Sequence, residues 1–314
     1  MTSRQPSAAG GERPEISILI GLASREDDPG TLRLLHALRN QQGGISSEMI
    51  VAHRRQDQLP RAIAREYPEV RLLAAPPHTS LPALRTMALA QARADLIAVI
   101  ADHCLPCPGW LKAFHDAFRN APANLIAVGG VVVNRDGTSA AQRAAFTFEY
   151  APFIPPLPAA DTGTVPGMNI CYRRTAFREA DQDHLRSAFW ENFHHRRLQA
   201  NGSAFRIVPE ARVTYQKEWT SGAFLRQRFN YSRYYAARRL QGQGSIRRGA
   251  MGIFSILLPP LLLVRHGRAM AGRDQNQRAG PAALPYLVLY SLAAAAGELA
   301  GAFLGDGDIL KELS

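Results

Sequence analysis

The sequence contains little cysteine and no apolar run near its beginning. Three cysteines in 314 residues cannot form a disulfide framework, so a reducing compartment is expected. Residues 1–13 are polar and rich in Ser, Gly and Ala, which argues against a secretory signal there and predicts a disordered tail. Hydrophobic residues make up 46% of the chain and charged residues 20%, so a disordered or collagen-like polypeptide is excluded.

Acidic residues are almost missing from residues 212–278. This segment has thirteen Lys or Arg residues against only Glu218 and Asp274, so it carries the entire net charge of +11. The remainder of the chain holds equal numbers of basic and acidic residues and is neutral overall. A strongly basic segment on a neutral body favours an anionic partner, which could be nucleic acid, phosphate groups or anionic lipid.

Two apolar runs lie in the C-terminal third of the chain. Residues 250–264 carry no charge, but Pro259 and Pro260 interrupt this short run, which favours a re-entrant or interfacial element. Residues 282–304 are interrupted only by Glu298 and are long enough to span a bilayer. Arginines flank the first run on both sides, against the positive-inside tendency of a crossing segment. Membrane association is therefore expected, with two buried helices of a soluble domain as the alternative.

The rest of the chain alternates between aliphatic strands and amphipathic helices. Continuous aliphatic runs predict buried strands, and apolar residues at helical spacing predict helices. Ser80 is the expected cap of the helix over 81–92, with Pro82 in its first turn. This order predicts an α/β fold with a largely parallel sheet covered by helices on both faces. The predicted strands are 16–22, 49–52, 70–74, 96–100 and 125–133, and the predicted helices are 31–42, 81–92 and 109–120.

Polar residues follow several of the predicted strands. Ligands of open α/β sheets bind beyond the carboxyl ends of the strands, so these residues are candidates for a site. Asp102 and His103, after the fourth strand, could hold a divalent metal against a diphosphate. Taken alone, this doublet is explained more simply by an Asp that caps the following turn and an exposed His. The other candidates are Ala23, Ser24, Arg25 and Glu26 after the first strand and His53 after the second.

Seven segments carry motifs whose order and spacing are specific when they are taken together. They are 17–20 with 32–42, LPALR at 81–85, IADHCLPCPGWL at 100–111, TVPGMNICYRR at 164–174, WENFHHRRLQANG at 190–202, FLRQRFNYSRYYAARR at 224–239 and AGELAG at 296–301 with FLG at 303–305. Through most of its length the chain thereby resembles a family 2 glycosyltransferase of the inverting GT-A type, in its bacterial-type, membrane-associated form. The resemblance implies a GT-A, Rossmann-like, mostly parallel sheet followed by membrane-associated helices.

The resemblance also implies a role for individual residues. The donor side comprises Arg85, facing the diphosphate of a nucleotide-sugar, with Asp102 and the residues that follow the first two strands. Glu191, at the start of a predicted helix, is the implied general base. Without the resemblance, Glu191 is more simply a first-turn helix carboxylate. The acceptor-side loop comprises Gly167, Met168 and Asn169, and candidate contacts to the diphosphate or to lipid phosphates are Arg226, Gln227 and Arg228.

Two positions depart from the family pattern. The usual Asp-x-Asp motif is replaced by Ala101, Asp102 and His103, so an imidazole stands where the main metal carboxylate is expected. Because imidazole is a softer ligand than carboxylate, we expect Mn²⁺ to be preferred over Mg²⁺, or metal dependence to be weak. Asn192 replaces the second acid of a common Glu-Asp pair, which leaves Glu191 as the base.

These observations predict a tail at 1–13, a catalytic domain at 14–240 and a basic, apolar region at 241–314 with one or two membrane-associated helices. The expected activity is metal-assisted hexosyl transfer to a glycan or lipid-linked acceptor, on the cytoplasmic face of the cell membrane. A catalytically degenerate transferase, suggested by Ala101 and Asn192, is one alternative. A basic membrane-binding or nucleic-acid-binding protein is another alternative. The neighbouring apolar runs argue against a nucleic-acid partner, because they favour a lipid surface. Redox or zinc chemistry at the Cys-x-x-Cys spacing of Cys104 and Cys107 is a weaker one.

Overall fold

The computed structural model describes residues 13–23, 28–178, 182–274, 277–307 and 309. Ser24, Arg25 and Glu26, together with residues 1–12 of the expected tail, lie outside the described residues. The strands are β1 Ile16–Leu22, β2 Ser47–His53, β3 Arg71–Ala74, β4 Leu96–Ala101, β5 Cys104–Pro106, β6 Leu125–Asn134, β7 Ala160–Thr162, β8 Asn169–Arg173 and β9 Ala204–Tyr215. They form one sheet in the order β3-β2-β1-β4-β8-β6-β9-β5, with β7 beside β9.

Helices precede or follow most strands. The α-helices are α1 Asp28–Arg39, α2 Leu59–Glu66, α3 Leu81–Gln91, α4 Trp110–Phe118, α5 Ala140–Tyr150, α6 Gln182–Ser187, α7 His195–Ala200, α8 Ser221–Arg239, α9 Ser245–Phe254, α10 Leu258–Met270 and α11 Leu284–Leu304. Short 3₁₀ turns occupy Ala151–Phe153, Arg174–Phe177, Ser255–Leu257 and Pro281–Ala283, and a π-helical turn at Trp190–His194 leads into α7.

The first four strands form the parallel half of the sheet. β1 pairs in parallel with β2 and with β4, and β2 pairs in parallel with β3. All residues of β1 and β4 are buried, as their unbroken aliphatic sequences require. Ser80 caps α3 by accepting a hydrogen bond from the backbone N–H of Ala83, and Pro82 lies in the first turn. The predicted α/β class with a central, mostly parallel sheet is confirmed.

The second half of the sheet is mixed. β8 lies antiparallel between β4 and β6, β6 pairs in parallel with β9, and both β5 and β7 run antiparallel to β9. The twelve-residue β9 and the helix α2 were not among the predicted elements. Polar and charged side chains interrupt β9 at several positions, which hides its alternation between buried and exposed residues.

The C-terminal helix α11 packs closely along α8. A Cβ atom added to Gly297 would lie 2.3 Å from the carbonyl oxygen of Phe229, and one added to Gly301 would lie 2.2 Å from that of Arg233. The two small residues, one helical turn apart, therefore let the backbones of α8 and α11 approach each other. Glu298 lies between them, is buried, and pairs with Arg239 of α8 at 2.5 Å. The one acidic residue of the second apolar run is thus compensated by a charge from α8.

The outer surface of the C-terminal helices is apolar. All fourteen large hydrophobic side chains that are exposed in the described part of the chain lie between Ile246 and Leu304. By length and composition, Ser245–Met270 and Pro281–Leu304 are the two described segments that could cross a membrane. Pro259 and Pro260 lie in the first turn of α10, where a 3₁₀ turn separates α9 from α10. Exposed apolar area of this extent is unusual for a soluble monomer.

Candidate functional site

A cavity of about 300 Å³ opens beyond the carboxyl ends of β1 and β4, where the topology of the sheet places a ligand. We call it the sheet-edge cavity. The predicted site residues that line it are Ala23, Arg85, Asp102, His103, Gly167, Met168, Glu191, Gln227 and Arg228. The fold therefore brings these predicted residues to one cavity, although they come from six separate parts of the sequence.

Asp102 and His103 form a pair at the end of β4. His103 Nδ1 lies 3.0 Å from Asp102 Oδ1, and both side chains are mostly buried. Burial alone would raise the pKa of Asp102, but the hydrogen bond and charge of His103, together with the charges of Lys217 and Arg85, lower it overall. Asp102 is thus held as a carboxylate facing the cavity. The edge of the His103 ring packs against Tyr215, which fixes the plane of the imidazole.

Arg85 brings a buried positive charge to the same cavity. Its side chain is 6% exposed and its guanidinium lies 3.7 Å from Glu191 Oε2. The helix α3 holds it beneath β1, where the Cβ-free Gly21 allows close packing against Leu81 and Arg85. A buried guanidinium at a sheet edge is suited to an anionic ligand, because it is always charged and presents several donors.

The Glu191 carboxylate is poorly satisfied in the structure. Its Oε2 atom is buried without a hydrogen-bond partner, and the 3.7 Å approach of Arg85 is too long for a hydrogen bond. Gly167 lies directly against it, since a Cβ atom at that position would be 2.7 Å from the carboxyl group. The acceptor-side loop and the candidate base are therefore in contact, and Gly167 leaves the space that the carboxylate occupies.

The π-helical turn that carries Glu191 is anchored on both sides. Trp190 is buried and its indole N–H donates to the carbonyl oxygen of Leu185. On the other side, the Tyr172 hydroxyl and His195 Nε2 are 2.6 Å apart, which ties α7 to β8. Asn192 donates its amide to the hydroxyl of Tyr231 in α8. These contacts orient Glu191 toward the cavity, and π-helical turns are common at functional sites.

Arg228 and Glu149 form a buried ion pair that also lines the cavity. Arg228 Nη2 donates to Glu149 Oε1 at 2.9 Å, and both side chains are about one-tenth exposed. Gln227 Nε2 donates to the same carboxylate oxygen at 3.4 Å. The guanidinium also lies over the ring of Tyr231 at 4.7 Å. Arg228 is therefore fixed in place by its neighbours before any ligand binds.

Three predicted residues do not reach the sheet-edge cavity. Asn169 is fully buried, where it accepts from Trp110 Nε1 and donates to the carbonyl oxygens of Val131 and Ala211, so it cross-links the core. His53 is buried at the end of β2, and burial lowers the pKa of its imidazole. Arg226 lies on the exposed face of α8.

The cavity also contains residues that were not predicted for it. Lys217 and Trp219 follow β9, with the Lys217 ammonium 4.1 Å from the Trp219 ring, and Glu149 and Tyr231 come from α5 and α8. A prediction of β9 would have identified Lys217, because residues at the carboxyl end of a strand are site candidates. Glu149 and Tyr231 lie within helices, and we find no signal in the sequence that marks them.

The Cys-x-x-Cys spacing does not place two thiols in a common environment. Cys104 is buried with its sulfur 3.9 Å from Met168 Sδ, and burial raises the pKa of its thiol well above the ordinary value. Cys107 instead donates to the carbonyl oxygen of Glu210. A reactive thiol needs an exposed, electropositive environment, which Cys104 lacks.

Comparison with known proteins identifies a family for this chain. The model of the family described as glycosyl transferase family 2 matches residues 25–185, just over half of the 314-residue chain. No curated protein matches the sequence.

Solved structures with the same fold include two sugar-transferring enzymes. One is the mannosyltransferase PcManGT from Pyrobaculum calidifontis in complex with GDP-Man and Mn²⁺, at 16% identity and a TM-score of 0.57, covering 92% of this chain and 88% of that one. Another is GalNAc-T7 with UDP, GalNAc and Mn²⁺, at 11% identity and a TM-score of 0.50, covering 66% of this chain and 44% of that one. At these identities the likeness shows the GT-A fold.

Proposed function

Because the chain belongs to glycosyl transferase family 2, we propose that it transfers a hexosyl group, with inversion, from a nucleotide-sugar to an acceptor hydroxyl. One observation carries this proposal. The sheet-edge cavity brings together the Asp102–His103 pair at the end of β4 and the Glu191 carboxylate, whose Oε2 atom has no hydrogen-bond partner and which lies against Gly167. Inverting transfer needs cations that stabilise the leaving diphosphate and a base that accepts the proton of the acceptor hydroxyl.

The residues present fit a divalent metal that shares its coordination with a diphosphate. The structure places one carboxylate and one imidazole side by side, and the described residues contain no cluster of three or more His, Cys, Asp or Glu side chains. Two protein ligands would leave positions open for diphosphate oxygens. When bound, the metal would neutralise charge on the leaving diphosphate, and Arg85, which lines the same cavity, would add a further positive charge. The Mn²⁺ complexes of the two solved structures support this assignment.

The mixed oxygen and nitrogen donor set favours Mn²⁺ over Mg²⁺. Transfer by the chelator-stripped protein should therefore recover more fully with Mn²⁺ than with Mg²⁺. Full activity with Mg²⁺ alone would contradict this part of the proposal. His103→Asp provides a matched variant, since an all-carboxylate pair should move the preference toward Mg²⁺.

Glu191 is the proposed general base. It would take the proton of the acceptor hydroxyl as the hydroxyl oxygen bonds to the anomeric carbon from the face opposite the diphosphate. Its buried oxygen without a hydrogen-bond partner and its contact with Gly167 support this role. The Arg85 guanidinium, at 3.7 Å, lies beside the carboxylate without occupying it in a hydrogen bond.

Glu191→Gln tests the proposal, because it preserves shape and removes the base. Screening sugar nucleotides with the purified protein in lipid, we expect this variant to keep donor binding and to lose transfer by about 100-fold or more. Glu210→Gln is the control, since Glu210 is exposed and lies outside the sheet-edge cavity. Retained transfer by Glu191→Gln would remove Glu191 from the mechanism. Absence of transfer by the wild-type protein with every donor would support the degenerate alternative.

We also propose that α9, α10 and α11 lie on an anionic membrane surface, at its cytoplasmic face. Their outer sides hold the exposed apolar side chains, and α9 and α10 lie within the basic segment 212–278. The pairing of α11 with α8 opposes a full crossing of the membrane by α11. Tyr290 packs on Phe224 and Gly301 packs on Arg233, so a crossing would carry the arginines of α8 into the hydrocarbon.

Vesicle flotation tests the membrane surface. Replacing Leu261 and Val264, both exposed on α10, by Ser should reduce flotation with vesicles that contain anionic lipid. Unchanged flotation would contradict the assignment of this face to lipid.

A further inference from the structure

A second cavity, of about 560 Å³, extends from Glu191 toward the C-terminal helices. We call it the helix-side cavity. It shares Glu149, Glu191 and Arg228 with the sheet-edge cavity, and its far wall is formed by Leu258 and Leu262 of α10 together with Ala294 of α11. The space around the candidate base is therefore continuous with the space beneath the apolar helices.

Four arginines line the helix-side cavity, and two of them are neutralised within the protein. Arg228 pairs with Glu149 at 2.9 Å, and Arg239 pairs with Glu298 at 2.5 Å. Charges paired in this way contribute to the walls of a cavity and have less capacity left for an external anion.

The other two arginines have no carboxylate partner among the described residues. Arg196 donates to the hydroxyl of Tyr235 and lies over its ring. Arg265 makes no hydrogen bond or ion pair within the described part of the chain, and it is exposed at the cavity rim. The cavity thus presents two positive charges that the protein does not compensate. An anion with several acceptor oxygens, such as a phosphate group, is the ligand that such a pair favours.

The helix α10 joins this basic region to the apolar surface. Leu258, Leu262, Arg265 and Ala269 line the cavity and recur every three or four residues, so they share one face of the helix. On the neighbouring face, Leu261 and Val264 are exposed, as are Phe254 and Leu257 in the preceding turns. A ligand with an anionic head and an apolar tail would match both faces at once.

From this continuity we infer that the acceptor is a membrane amphiphile whose headgroup carries both a phosphate and a hydroxyl, an inference that rests on the proposed function. The phosphate lies at Arg196 and Arg265, the hydroxyl reaches Glu191, and the tail leaves beside α10 into lipid. In the transfer step the hydroxyl proton goes to Glu191 and the hydroxyl oxygen bonds to the anomeric carbon. The bond from that carbon to the donor diphosphate breaks, and the nucleoside diphosphate leaves with the electron pair.

Binding of decyl phosphate to the full chain in a neutral detergent tests the inference by calorimetry. Arg196→Gln and Arg265→Gln should each weaken binding about tenfold, because each removes a charge-assisted contact to the phosphate. Arg268→Gln is the matched control, since Arg268 is exposed on the same helix and does not line the cavity. It should leave the affinity unchanged. Circular dichroism of each variant checks that the fold is intact.

Several outcomes would overturn the inference. Equal weakening by Arg268→Gln would show attraction to general surface charge, and equal affinity for inorganic phosphate would show a free-anion site. Competition between decyl phosphate and the nucleotide-sugar would place the probe in the donor site.

Binding measurements on the same protein samples distinguish failure of the proposed function from failure of the acceptor inference. If no nucleotide-sugar binds with Mn²⁺ while decyl phosphate binds and responds to Arg196→Gln and Arg265→Gln, the transferase proposal fails and the lipid site stands. If nucleotide-sugars bind and decyl phosphate does not, the acceptor inference fails alone.

Discussion

Acidification should weaken the fold at the turn that carries Glu191, and His195 provides the reason. His195 is 4% exposed, and burial, followed by the charges of His194 and Arg85, lowers the pKa of its imidazole from 6.5 to about 3. Nε2 of the neutral ring lies 2.6 Å from the Tyr172 hydroxyl, a contact that ties α7 to β8. Protonation would place a charge in this buried position, beside the positive charge of Arg85.

The sign and size of the effect follow from the two pKa values. Between about pH 6.5 and pH 3 the unfolded chain binds a proton that the folded chain does not, so stability is complete above 6.5 and falls as the pH falls. At pH 5, which is about 1.5 units below the unfolded pKa, the loss from His195 alone is about 2 kcal/mol. His194, whose pKa burial lowers to about 4, adds a loss in the same direction.

Urea unfolding at pH 8 and pH 5 measures this loss. The amide of Gln keeps a polar group beside Tyr172 and does not titrate, so His195→Gln should reduce the stability difference between the two pH values by about 2 kcal/mol. His78→Gln is the control, because His78 is exposed. An equal pH dependence in His195→Gln and the wild type would refute the reasoning.

Two further substitutions test close contacts in the structure. Gly167→Ala should lower kcat by about tenfold or more with little change in donor affinity, because the new Cβ would lie 2.7 Å from the Glu191 carboxyl group and displace it. Steady-state kinetics measures both quantities. A change confined to donor affinity would contradict the prediction. Gly301→Leu should separate α11 from α8, since even a Cβ would lie 2.2 Å from the Arg233 carbonyl oxygen. Thermal unfolding should show a loss of about 3 kcal/mol or more, and an unchanged melting temperature would show that α11 contributes little.

Much of the fold was predictable because its signals are local. The aliphatic strands β1 and β4 and the helix α3 follow from continuous apolar runs, helical spacing and a Ser cap, all of which are read within a few residues. β9 was missed because its pairing with β6, β5 and β7 gives it a mixture of buried and exposed positions. Long-range pairing of that kind leaves a weak mark on the sequence of a single strand.

The sequence identified candidate site residues but could not show which of them reach the cavity. Gly167 and Asn169 are two residues apart, yet Gly167 lies against Glu191, whereas the side chain of Asn169 forms three hydrogen bonds within the core. Arg226 and Arg228 are likewise two residues apart on α8, where that spacing turns them to different faces, one exposed and one buried against Glu149.

The sequence by itself determined the α/β class, the positions of five strands and three helices, the charge excess around the apolar runs and the family resemblance. Each of these depends on residue type and on spacing within one element. The tertiary structure alone decided which arginines are neutralised, that α11 lies along α8, and that the space around Glu191 continues beneath α10. Those features depend on pairs of residues far apart in the chain, and their distances are set by the packing of the whole molecule rather than by any local pattern.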